Sequence, residues 1–393
     1  MKLLFLEERN VRMVDTVVVI LKVSERCNIN CTYCYFFNGI DQTYQDHPPK
    51  ISLEIIEQIA IFFKNACQHF QIKTLRFDFH GGEPLLVKPV YLDKVCQTLV
   101  NSLSSLTNLE FSLQTNAMLI NEKWIELFNK YKINIGVSID GTEEYHNKYR
   151  IDRKGKGSYQ KTREGLELIR KFFYQKKVNF GLGALCVINP EFSGRNIYRH
   201  FVDDLKLNSF DFLLPDNTWD SIKNNNFKAE DYGLFLSEIF DEWVKDNNPK
   251  IFVRILSSIA SGLQAKRLHF HDFGGWLENF LLITISSNGN LSPDDTYRSA
   301  SPQHMNIGLN VYTSTFDQLL NNSAINLLRT SANLPASYCQ NCEWIGFCKS
   351  GSLLHRYSTE NGFENHSVYC EGLKIIYKRM FDFLLDHKAT TVA

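Results

Sequence analysis

Thr16-Val17-Val18-Val19-Ile20-Leu21-Lys22-Val23 runs directly into Ser24-Glu25-Arg26-Cys27-Asn28-Ile29-Asn30-Cys31-Thr32-Tyr33-Cys34-Tyr35. The first part is a β-branched, apolar run of the kind that forms a strand buried on both faces. The second places three cysteines within eight residues. Thiols so spaced can reach three different irons of a cubic iron–sulfur cluster and leave the fourth iron without a protein ligand. Structural zinc is the competing reading, but it wants four ligands, and none follows nearby. His47, the nearest histidine, sits before Pro48-Pro49 and reads as solvated. Cys27, Cys31 and Cys34 are therefore read as ligands of a redox-active cluster.

Outward from this loop the pattern repeats. Strand-like segments occur at 73–79, 108–114, 133–139, 178–187 and 209–214. Helix-periodic stretches separate most of them, at 88–104, 121–131, 158–174 and 194–205, and Ser52 with Glu54 opens another that runs to about Phe70. Strands alternating with helices imply a parallel sheet. Six of them predict an α/β fold, a partial (β/α)6 TIM-like barrel with its chemistry at the C-terminal ends of the strands. Residues 228–270 read as helical, 278–292 as a hairpin around Ser287-Asn288-Gly289-Asn290, and 372–386 as a closing amphipathic helix. The expected division is 1–225 for the barrel, 226–270 for a helical bridge, and 271–393 for a cysteine-rich domain.

Bulk composition narrows the function. The 393 residues carry 43 Lys plus Arg against 43 Asp plus Glu, so there is no net field to draw in nucleic acid or an anionic membrane. No apolar run is long enough to span a bilayer and no signal-peptide pattern opens the chain, which predicts a cytoplasmic protein. Seven of the 10 cysteines fall in two clusters, a distribution suited to metal in a reducing compartment; Cys67, Cys96 and Cys186 stand apart and read as core residues.

The CxxxCxxC spacing with Tyr33 before its last cysteine resembles the radical S-adenosylmethionine (SAM) superfamily, and further motifs follow in the family's order. His80-Gly81-Gly82-Glu83-Pro84 resembles its GGEP motif, implying that Gly82 and Glu83 meet the methionine amino group. Ser138-Ile139-Asp140-Gly141 resembles its ribose-binding S-x-D-G. Arg150 lies where the family places the arginine that pairs with the methionine carboxylate, a task suited to a planar guanidinium. Tyr33 and Leu185 match positions that touch adenine. Gln114, Thr115 and Asn116 end the third strand and face the same mouth. The implied cofactors are SAM and the 4Fe–4S cluster that cleaves it.

Near the end, Cys339-x2-Cys342-x5-Cys348 and then Cys370 supply four ligands. By spacing alone they suit zinc as well as a cluster. With Trp344 and Gly351 the pattern resembles the SPASM extension of peptide-modifying radical enzymes, which implies an auxiliary 4Fe–4S cluster. Full SPASM domains hold a second, inner cluster, whose ligands are missing here. The position five after Gly289 is Asp294, the later one is Ser352, and no cysteine occurs between 187 and 338. Asp295 follows the hairpin where related sulfatase-maturing enzymes use an aspartate to take a proton; the alternative is an ordinary turn aspartate after Pro293. The resemblance implies a ribosomally made precursor peptide as substrate and a flavodoxin or ferredoxin as electron donor. The segment 18–49, with Cys-Tyr-Phe-Phe-Asn-Gly-Ile-Asp from Cys34, is similar to maturases that join an aromatic ring to a β-carbon, so a cyclophane crosslink is expected. Thioether formation, epimerisation and formylglycine formation stay open. The short stretch before Cys27 leaves no room for a separate leader-binding domain.

Overall fold

The computed structural model describes residues 14–175, 178–223, 226–264 and 279–391. Six strands follow one another in the barrel: β1 (Thr16–Ser24), β2 (Thr74–Gly81), β3 (Asn108–Thr115), β4 (Asn134–Ser138), β5 (Leu182–Val187) and β6 (Ser209–Leu213). Each pairs with the next in parallel. Helices α1 (Leu53–His69), α2 (Pro89–Leu103), α3 (Glu122–Tyr131) and α4 (Tyr159–Tyr174) return the chain between them. The Ser52 hydroxyl accepts from the Ile55 N–H and so caps α1 as its sequence predicts. The interior between sheet and helices is aromatic-rich; Phe77, Phe79 and Phe111 are all buried, and Phe111 stacks on the other two rings.

The helical stretch expected at 228–270 is two helices, α5 (Ala229–Asp246) and α6 (Arg254–Leu263). Asn247 in the left-handed conformation ends the first, and a two-residue strand, β7 (Phe252–Val253), pairs with β6 before the second begins. Residues 265–270 of that stretch and 278 of the expected hairpin lie outside the described residues. The hairpin itself forms from β8 (Phe280–Ile285) and β9 (Asn290–Ser292), with Gly289 at positive φ between them. Its first arm pairs in parallel with β1, so this segment extends the barrel sheet. With β10 (Leu309–Asn310) the sheet is open, in the order β10-β9-β8-β1-β2-β3-β4-β5-β6-β7. The two shortest strands, β7 and β10, were not legible as sequence pattern. The closing helix, α7 (Cys370–Thr391), starts on the last cysteine and packs on α5.

A second, smaller apolar cluster (Tyr297, Ala300, Met305, Leu328, Ala332, Leu353, Leu354 and Phe363) underlies the C-terminal region. Beside it Arg356, fully buried, donates to the carbonyls of Ser331, Leu334, Phe363 and Asn365. Cys96 and Cys186 are buried in the main core and Cys67 packs against it, as expected for isolated thiols. Among the described residues no helix is long and apolar enough to cross a membrane.

Candidate active site

The cysteine loop leaves the C-terminal end of β1 and is fixed from three sides. The Cys34 N–H donates to the Cys31 carbonyl at 3.0 Å, closing a turn. Asn30 and Thr32 donate to the carbonyls of Ile151 and Tyr149, which ties the loop to the segment that carries Arg150. Buried Glu25 accepts from the Ser287 N–H at 2.7 Å and pairs with His47 at 2.9 Å. His47 is thus not solvated as its loop sequence suggested: a buried carboxylate needs a partner, and His47 supplies it. Burial pushes all three thiols up, Cys27 to about 12, and Cys27 and Cys31 also feel a neighbouring thiol of the set. Crowded thiols that resist ionisation suit a site whose metal brings its own positive charge.

The β2 loop approaches closely because it lacks side chains. A Cβ on Gly81, whose φ is +137°, would fall 1.9 Å from the Ser24 carbonyl oxygen, and one on Gly82 2.4 Å from that of Arg26. Glu83 next to them is buried and fully engaged with protein. One oxygen accepts from the Leu85 N–H (3.0 Å) and the Thr115 hydroxyl (2.7 Å), the other from the Asn116 N–H (2.8 Å). Its evident work is to pin this loop to the end of β3. Burial lifts its carboxyl to about 6 against the pull of those donors.

Tyr33, Asp140 and Arg150, separate in sequence, meet at one point. The Tyr33 hydroxyl donates to Asp140 and accepts from Arg150 Nη1 at 2.7 Å. Asp140 also accepts from the Val187 N–H. Arg150 is buried, and its Nε has no hydrogen-bond acceptor among the described residues, an orphaned donor that a ligand carboxylate would satisfy. Leu185 lies half-buried over Gly136 on the neighbouring strand. This set fits the amino-acid and nucleoside ends of SAM.

Asp295 is no ordinary turn residue. It is buried, with Oδ1 accepting from Arg298 at 2.9 Å and Oδ2 from Tyr35 at 2.7 Å and from Lys22. Burial alone would raise its pKa, but Arg298 and then Lys22 more than offset this and hold the carboxyl well below the usual range. Arg298 pairs in turn with buried Asp41 at 3.1 Å. Lys22, His80, Tyr35, Arg298 and Asp41 escaped the sequence reading. One signal was there: Lys22 interrupts an otherwise apolar strand, and a lysine so placed must find a buried partner.

The C-terminal cysteines also converge. Cys339, Cys342, Cys348 and Cys370 line one small pocket together with Trp344, Ser350 and Tyr377. Burial raises Cys348 to about 12 and Cys370 to about 11. The Tyr377 hydroxyl points at Cys348 Sγ from 3.8 Å. Four such thiols around one space fit a metal cluster. At the inner position Asp294 instead accepts from the Thr296 N–H and caps a turn.

Residues 21–189 match the model of the radical SAM superfamily. The cysteine-type anaerobic sulfatase-maturating enzyme of Clostridium novyi (strain NT) is 28% identical over 376 residues, spanning 92% of this chain and 94% of that protein. The serine-type anaerobic sulfatase-maturating enzyme of Bacteroides thetaiotaomicron is 24% identical over 384 residues, spanning 90% and 87%. In fold, the chain resembles native anSMEcpe with bound AdoMet, with a TM-score of 0.81 at 22% identity over 94% of this chain and 98% of that one. The corresponding structure with bound AdoMet and Cp18Cys peptide gives 0.80 at 23% over 96% and 100%. The motif cysteines, the parallel partial barrel and this match agree in giving the chain a radical SAM domain over residues 21–189.

Proposed function

We propose that this enzyme matures a peptide by removing hydrogen from the β-carbon of a cysteine or serine side chain and leaving an aldehyde there, as a sulfatase-maturating enzyme. The observation that carries this reading is similarity to both cysteine-type and serine-type sulfatase-maturating enzymes along nearly the whole chain, not the radical SAM domain alone. It displaces the aromatic crosslink expected from the cysteine-loop sequence, a reaction that shares the first hydrogen abstraction and diverges after it.

Cys27, Cys31 and Cys34 would hold the SAM-cleaving cluster, and Cys339, Cys342, Cys348 and Cys370 the auxiliary one. When bound, these groups and SAM supply the 5′-deoxyadenosyl radical and a sink for the substrate's second electron, with flavodoxin or ferredoxin as the reductant. The chain's own residues orient and neutralise. Arg150 pairs with the methionine carboxylate through a guanidinium already held by Tyr33. Asp140 and Ser138 face the ribose, Leu185 and Tyr33 the adenine. Gly82 permits close approach, and Glu83 keeps that loop in place. Asp295 takes the proton. Its depressed pKa makes it a weak base, yet a peptide carbon that has lost a hydrogen atom and an electron bears a protonated carbonyl or thiocarbonyl, which is acidic enough to give the proton up. The balance is two hydrogens lost from the side chain, one as an atom and one as a proton with its electron; a thioaldehyde from cysteine then exchanges sulfur for oxygen with water.

Peptides from a sulfatase active site, bearing cysteine, serine or alanine at the target position, test this with mass spectrometry and hydrazide capture of aldehydes. Capture from the cysteine or serine peptide and not the alanine peptide supports the reading. SAM cleavage with all peptides unchanged refutes it, and loss of two hydrogens without hydrazide capture returns the crosslink.

A further inference from the structure

Lys22, His80, Gln114 and Ser138 stand on four successive strands at the mouth of the barrel. Lys22 is the register partner of His80, and Gln114 follows Leu113, the partner of Phe79, so the side chains come level. They touch in series. Lys22 Nζ lies 3.0 Å from His80 Nδ1, His80 Nε2 lies 3.2 Å from Gln114 Oε1, and Gln114 Nε2 lies 3.2 Å from Ser138 Oγ. At the other end Lys22 is bonded to Asp295.

The chemistry of the partners fixes the direction of every bond. Burial presses the Lys22 pKa down and the Asp295 carboxylate holds it up; as the ammonium paired with Asp295, Lys22 can only donate, so His80 Nδ1 accepts. Burial and the neighbouring Lys22 lower His80 to about 4, so the ring is neutral near pH 7 and its single proton sits on Nε2. That proton goes to Gln114 Oε1, which turns the Gln114 amide nitrogen toward Ser138. Ser138 Oγ accepts, and its own hydroxyl proton is left to donate into the mouth. From Lys22 onward the donors point toward Ser138 and the sugar side of the cofactor site, while Lys22 also donates back to the Asp295 carboxylate.

We propose that Lys22, His80 and Gln114 form a one-way hydrogen-bond relay coupling the proton state of Asp295 to the grip of Ser138 on the ribose of SAM. While Asp295 is ionised it neutralises Lys22. Once Asp295 carries a proton, the charge that Lys22 keeps against burial and Arg298 is no longer neutralised and acts on His80, each donor along the series is strengthened by the one behind it, and Ser138 holds the sugar more firmly. Coupling of this kind is reciprocal, so seated SAM makes Asp295 a better proton acceptor. The base would then be strongest when the cofactor is in place. The titratable and charged groups bearing on the pair are Arg298, Tyr35 and His80 on Asp295, Arg298 and Glu25 on Lys22, Asp41 on Arg298, and Asp294 and Asp216 alongside. The inference rests on Ser138 and SAM meeting as proposed above.

The test is SAM affinity of the cluster-loaded enzyme, measured calorimetrically without reductant. His80→Gln keeps an acceptor and a donor in series and should leave Kd unchanged, whereas His80→Leu should weaken binding about two- to tenfold, the worth of one hydrogen bond. In a Ser138→Ala background His80→Leu should have no further effect. Asp295→Asn should tighten SAM by roughly two- to threefold in the His80→Gln background and not in the His80→Leu background. Additive effects of His80→Leu and Ser138→Ala overturn the relay even if Asp295→Asn does not fold. A wild-type enzyme that binds no SAM overturns the relay together with the cofactor assignment.

Discussion

Glu83→Gln and Glu83→Ala should differ by a factor that the hydrogen-bond count sets. Glu83 accepts from two buried backbone N–H groups, those of Leu85 and Asn116, and from the Thr115 hydroxyl. Glutamine offers one acceptor oxygen and one donor nitrogen, so whichever way the amide turns, one of the two N–H groups faces another donor. A buried donor left unpaired costs about 1–3 kcal/mol. Alanine orphans both and loses the Thr115 bond, costing roughly 3–6 kcal/mol, a large share of the ~5–15 kcal/mol that holds a domain. Urea unfolding should show both midpoints falling at unchanged slope, alanine about twice as far as glutamine. Hydrogen exchange should lose protection at Leu85 or Asn116 in the glutamine variant and at both in the alanine variant. Equal destabilisation by the two variants, or full protection of both amides in alanine, would refute the role of Glu83 as the pin between the β2 loop and β3. SAM binding should fall with the same ranking, because that pin sets the position of Gly82.

Arg150→Lys should weaken SAM binding roughly 10- to 100-fold by calorimetry, since a single ammonium cannot keep Tyr33 and meet a carboxylate with the same planar fork. Tyr377→Phe should move the midpoint potential of the C-terminal cluster downward in an EPR redox titration, because a hydrogen bond to a ligand sulfur stabilises the reduced state; an unchanged potential refutes that contact. Cys339→Ser with Cys342→Ser should halve the iron per chain, while one zinc retained in the wild type would make the site structural. Acid should destabilise the fold through His80. Its folded pKa of about 4 lies below the ordinary 6.5, so between those values the unfolded chain binds the proton and the folded one does not. That contribution is complete above pH 6.5 and is lost as pH falls to about 4, worth about 3 kcal/mol, and His80→Gln should flatten that part of the stability profile.

Much of the barrel was legible because β1 is a continuous apolar run and β2, β3 and β4 alternate buried apolar residues with half-exposed ones. β1, β2 and β3 fell within about two residues of their expected bounds. β7 and β10, each two residues long, carry no periodicity to detect. The parallel pairing of β8 with β1 is a long-range choice that no local pattern encodes. At the site, motif residues such as Tyr33, Asp140 and Arg150 could be placed from sequence, but their mutual contact could not. The polar network around Asp295 was hidden because its members come from β1, β2, the cysteine loop and the C-terminal region. Only Lys22, out of place in an apolar strand, advertised it. The absence of cysteine between 187 and 338 was visible in sequence, whereas the apolar cluster and the Arg356 staple in the C-terminal region required the fold.

The most direct measurement incubates the anaerobically reconstituted enzyme with SAM and a chemical reductant and follows 5′-deoxyadenosine by chromatography and mass spectrometry. The wild-type chain should form it, and Cys27→Ala, Cys31→Ala and Cys34→Ala should each abolish it while Cys67→Ala should not. Formation that survives loss of any of the three loop cysteines, or none at all from a wild-type chain shown to carry its cluster, would contradict the reading of Cys27-x3-Cys31-x2-Cys34 as the centre of a radical enzyme.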